Sequence, residues 1–174
     1  MTNENVETID EIFVRTRLGY FDLVNVDPVE GKKRKDIASV LSIAPSVPDE
    51  IVERMLSGIS WRERLLGLCI AMSMREQPPA YAERMTQSLG DPRCFAIVPT
   101  AAALALLAGR GTFTMTNSFG EQFDQNAFSG EIAWAVRKAM FYANLCSEDA
   151  AGHAPNNGQI FEDHLQFYES IRPS

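Results

Sequence analysis

The sequence predicts an all-α fold, an irregular stack of packed helices in a single domain. Three observations carry this expectation. Apolar residues recur at three- and four-residue spacing through most of the chain. Short stretches rich in Pro, Gly, Ser and Asp separate these runs. Several runs carry two apolar stripes, which suits helices sandwiched between neighbours. The length of 174 residues fits one domain, residues 1–174, and 45 % apolar with 22 % charged residues is the composition of a globular core.

The elements follow in order. Thr8 and Glu11 have capping-box spacing, and Val6, Ile9 and Phe13 continue as a stripe to about Leu18. "YFDLVNVDP" (20–28) reads as a short extended piece, with Phe21 and Leu23 alternating with Asp22. "VEGKKRK" is a polar turn, after which Asp36 caps a short helix with Ile37, Val40 and Leu41 inward. Ser46 with Asp49 caps a helix bearing Ile51, Val52, Met55 and Leu56 on one face, stopped by Ser57–Gly58. In "SWRERLLGLCIAM" (60–72), Ser60 and Glu63 form a capping box, and Trp61, Leu65, Leu68 and Met72 share a stripe. Pro78–Pro79 ends that helix and starts the next, with Tyr81, Met85 and Leu89 inward and Gly90 as its stop.

Asp91–Pro92 then opens the most apolar helix, which runs to Ala108 and which Pro99 should kink. Residues 109–128 form a long non-helical connector. Ser129 caps a helix with Ile132, Val136 and Met140 on one stripe and Trp134, Phe141 and Leu145 on a second. A loop follows at 147–158, and residues 159–171 make a last helix with Phe161, Leu165 and Tyr168 inward. The expected core includes Trp61, Leu65, Cys94, Ala102, Trp134 and Met140.

The formal charge of −7 excludes a nucleic-acid binder that relies on overall basicity, because phosphate contacts come mainly from Lys and Arg. It leaves open a basic protein partner, for which opposite charge speeds encounter. "KKRK" (Lys32 to Lys35) is the one basic run, with the pattern of a short nuclear or phosphate-binding run and, as the plainer expectation, a solvated turn. Cys69, Cys94 and Cys146 are far apart and odd in number, which reads as reduced thiols in a cytoplasmic protein. The N-terminus lacks a basic start and an apolar stretch, so no signal peptide is expected. "CFAIVPTAAALALLA" (94–108) is shorter than the ~20 residues of a membrane span.

"DPRCFAIVPTAAALALLAG" resembles a HEAT-type repeat helix in its Asp-Pro start, Ala-rich packing and Gly stop. "WRERLLGLCIAM" followed by the "CFA" segment is similar to a small family of bacterial helical proteins, some found among toxin-immunity genes. The resemblance covers about residues 46–146. It implies a HEAT-like stack and a binding role, and it supplies no catalytic residue.

Two places stand out as partner-binding candidates. Trp61, Arg62 and Arg64 would form an edge for anions or carboxylates, since Arg presents a planar donor fork; the plainer expectation is that Trp61 fills a groove and the arginines bridge helices. The 109–128 loop carries Phe113, Met115, Phe119 and Phe123, more apolar than a solvated loop needs, with Glu121 and Asp124 beside them; the plainer expectation is that these side chains fold back and cover the open edge of the helical stack. His153 and His164 lack metal-ligand spacing and read as surface or half-buried residues. No nucleophile elbow, phosphate loop or dinucleotide fingerprint is present, so no catalytic residue, cofactor or metal is expected. The expected function is non-catalytic binding of a protein, in its specific form an immunity protein blocking a basic toxin domain. A regulatory or scaffold helical-repeat protein is the alternative, and a small helical enzyme with a spatially assembled site a third.

Overall fold

The computed structural model describes residues 9–16, 23, 26, 27, 30, 34–91, 95–111, 130–147, 152 and 158–173. Within them the chain folds into helices α1 (Ile9–Thr16), α2 (Lys35–Ile43), α3 (Asp49–Leu56), α4 (Trp61–Ser73), α5 (Pro79–Leu89), α6 (Ile97–Gly109), α7 (Gly130–Tyr142) and α8 (Gly158–Ile171). A short 3-10 turn, Ala44–Ser46, links α2 to α3. No strand occurs among the described residues. The all-α helical stack expected from the sequence is thus the observed architecture.

The packing grows from two helical hairpins. Helix α3 packs on α4, and α5 packs on α6; α3 and α5 then form one layer, α4 and α6 a second. Helix α8 lies across both α4 and α6, and α7 packs on α6 and α8. The inner layer is therefore covered on both sides. Every residue of α6 from Ile97 to Leu107 is buried, as is every residue of α4 from Arg64 to Met72. At the α3–α4 crossing, Gly67 lets the helices close up: a Cβ there would lie 2.7 Å from Met55 Cβ and 3.1 Å from the Leu56 amide nitrogen.

Polar ties hold the outer layer in register. The buried Tyr81 hydroxyl donates to Asp49 Oδ1 at 2.6 Å, joining α5 to the first turn of α3. Arg84 of α5 reaches Glu53 of α3 at 3.3 Å.

The capping expectations need correction. Ser60 and Pro48 are the N-caps of α4 and α3, and neither makes a side-chain cap hydrogen bond. The Glu63 carboxylate sits against Gly58, and the Ser46 hydroxyl donates to the Ile43 carbonyl at 2.7 Å. Asp36 lies inside the first turn of α2 and accepts from the Ile37 N–H at 3.0 Å. Burial pushes its carboxyl up, but the Arg34 guanidinium and that N–H outweigh burial and hold it below its ordinary value. Helix α6 begins at Ile97, which places Pro99 third in the helix. The amide that Pro lacks would have no partner within a first turn, so Pro99 starts the helix instead of kinking it.

Leu65, Ala102 and Trp134 are buried as expected. Trp61 and Met140 are half-buried, because each stands at the margin of its packed face. Cys94, Thr8, Ser129 and most of the 20–28 segment lie outside the described residues; within that segment Leu23 is helical, not extended.

Gly67→Ala should lower stability by about 1–3 kcal/mol, the usual cost of overpacking. The better helix propensity of Ala recovers ~1 kcal/mol at most, and the opposing atoms are a Cβ and backbone, which cannot swing aside. Urea melts of the two proteins check this, and an unchanged midpoint would contradict the close crossing.

Candidate functional edge

The α3–α4 turn and the α5–α6 connection meet at one end of the stack. Ile59 on the first is 94 % exposed, and Phe95 on the second is 78 % exposed. Between them stands Trp61, the first residue of α4. Its ring meets Phe95 edge-on, with centroids 6.4 Å apart and planes at 74°. The Arg62 guanidinium lies over the Trp61 ring, 5.4 Å from its centroid, within cation–π range. Three large apolar side chains, two of them mostly in water, thus lie on the two turns at this end of the stack.

Arg64 explains why the two turns meet. The plainer of the two expectations, an arginine that bridges helices, holds for it: Arg64 is 5 % exposed and lies beneath the edge. Its Nε donates to the Gly58 carbonyl, Nη1 to the Ser88 carbonyl at 3.3 Å, and Nη2 to Asp91 Oδ2 at 3.0 Å. One guanidinium fork therefore ties the turn bearing Ile59 to the turn leading to Phe95. Spacing places Arg64 three residues after Trp61, on the same side of the helix, and that spacing does not separate a surface arginine from one turned under the edge. Asp91 makes this ion pair, and helix α6 begins at Ile97, beyond the Asp91–Pro92 start expected from the sequence.

Residue type and spacing in the sequence point to Trp61 and Arg62 but not to Ile59 and Phe95. Phe95 looked like the start of a buried apolar run, and only the late start of α6 leaves it outside the core. The other predicted site residues, Phe119, Glu121, Phe123 and Asp124, lie outside the described residues, as does His153.

Other reactive groups are engaged elsewhere. Burial, with the charge of Asp36 adding to it, pushes the Cys69 thiol up to about 12, so it is protonated at neutral pH. Cys146 is half-buried, with its Sγ 3.5 Å from the Arg137 carbonyl. His164 is buried, contrary to the expected surface or half-buried placement, because both ring nitrogens meet backbone carbonyls inside the fold. Among the described residues, no three His, Cys, Asp or Glu side chains group as a metal site, and no helix is long and apolar enough to cross a membrane.

Compared with known proteins, the chain matches no family model, no curated protein and no solved structure.

Arg64→Ala should cost about 1–3 kcal/mol, since it removes the three hydrogen bonds of a buried guanidinium, one of them to a carboxylate, although the Ser88 carbonyl keeps the Asp91 N–H. Arg64→Lys should recover only part of this, because an ammonium cannot serve three separated acceptors in a fork. Thermal melts of the three proteins decide it; a wild-type melt for Arg64→Ala would contradict the tie.

Proposed function

We propose that this chain is a protein-binding module whose partner docks on the edge formed by Ile59, Trp61 and Phe95. The observation that carries this reading is the exposure of Ile59 and Phe95 beside an aromatic ring, on two turns that a buried arginine fastens together. Large apolar groups held rigidly in water are costly to leave uncovered and well suited to anchor a partner. Trp and Arg are also the side chains that most often dominate binding energy. The covered inner layer supports an edge as the binding place, since α8 occupies the face that an open stack would offer.

The net charge of −7 favours a basic partner through faster encounter, while the apolar anchors slow release. The specific form of the reading is an immunity-type protein that neutralises a basic toxin domain in the cytoplasm, with Phe119, Glu121, Phe123 and Asp124 of the 109–128 segment as a second contact.

Capture from cell extract with the wild type and with Phe95→Ser should yield a protein that the wild type retains and the variant loses. Surface plasmon resonance with that purified protein should then show Phe95→Ser and Trp61→Ala weakening binding by tenfold or more, about 1.4 kcal/mol, chiefly through faster dissociation. Phe95→Ser should melt like the wild type. Undiminished binding by both variants would overturn the reading.

A further inference from the structure

His164 sits in the middle of α8 with 1 % of its surface exposed. Its Nδ1 lies 2.8 Å from the Ile160 carbonyl oxygen, one turn earlier in α8. Its Nε2 lies 2.9 Å from the Leu23 carbonyl oxygen, 141 residues away in sequence. Leu23 is itself buried, so the imidazole joins the amino-terminal part of the chain to the helix that covers the inner layer.

Both neighbours are acceptors. A neutral imidazole has one N–H, so it donates to one carbonyl and turns a lone pair toward the other. An imidazolium would donate to both, but at the cost of a charge inside an apolar core. Protonation gains only the second hydrogen bond, which does not offset the cost of burying an ion. Burial is the dominant influence and pushes the His164 ring below its ordinary value; the Ile160 and Leu23 carbonyls and the Asp163 charge pull the other way and are outweighed.

Apart from Asp163, the described residues packed around the ring bring no acid to it. Tyr168 packs its ring 5.8 Å away on α8, and burial holds its hydroxyl protonated. Cys69 of α4 behind it is likewise protonated. Helix α6 contains no ionisable residue. On α7, Lys138 lies over the Phe141 and Tyr142 rings.

We propose that His164 is an acid-sensitive latch: its neutral ring holds α8 to the Leu23 segment, and its protonation loosens α8 from the face formed by α4 and α6. A group whose ionisation is depressed by folding contributes stability that is full above the unfolded value of about 6.5 and is lost as pH falls toward the folded value.

The test uses the full chain. Ring signals followed by NMR should show His164 titrating below 6.5. Between about pH 7.5 and about pH 5.5 the unfolding constant of the wild type should rise by up to about tenfold per pH unit more than that of His164→Gln, which keeps a donor for the Leu23 carbonyl and does not titrate. His153→Gln should behave as the wild type. A ring titration at or above 6.5 overturns the latch, as does a pH dependence that His164→Gln retains in full. If His164→Gln does not fold, the wild-type ring titration and the His153→Gln comparison still decide.

Discussion

Helix α6 presents apolar side chains in every direction, and the fold is organised by the need to cover them. An amphipathic helix can rest on one neighbour, but a helix apolar all round must be enclosed. Its neighbours α4, α5, α7 and α8 supply that enclosure. The alanines at 101, 102, 103 and 105, all fully buried, keep its surface low, so four helices can approach it closely. Each large side chain buried against it contributes roughly 1.5–3 kcal/mol.

Enclosure has a consequence for function. Two stacked hairpins would leave the α4–α6 face open, as a concave surface for a ligand. Here α8 takes that position, with Phe161, Phe167 and Tyr168 turned inward and the Phe161 ring meeting Trp134 of α7 edge-on at 5.5 Å. Ile59 and Phe95 stand exposed at the ends of the hairpins, where Arg64 ties two turns together. The same covering helix carries His164, so the closure of the stack is coupled to one titratable ring.

Much of this was legible in the sequence. The stripes on α3 and α5 state their buried faces, because helical periodicity reflects packing directly, whereas α4 is buried all round from Arg64 to Met72. The Pro and Gly stops at 78–79 and 90 mark real boundaries for the same local reason. What failed was the assignment of single polar residues. Ser60 with Glu63, and Asp91 with Pro92, have the spacing of caps, but Glu63 and Asp91 found other neighbours once the helices packed. Arg64 looks like a surface charge until Ser88 and Asp91 approach from another hairpin. His164 had no local signal at all, since its second partner is Leu23. The edge was half visible: Trp61 and Arg62 stood out by type, whereas Phe95 was hidden in an apolar run whose helix begins two residues later.

Native-state hydrogen exchange tests the enclosing of α6 most directly. Amides from Thr100 to Leu107 should exchange only through global unfolding, with protection equal to the full stability of the protein, while α1 and α2 open at lower cost. Protection in α6 below that of α1 or α2 would contradict its place as the helix around which the others assemble.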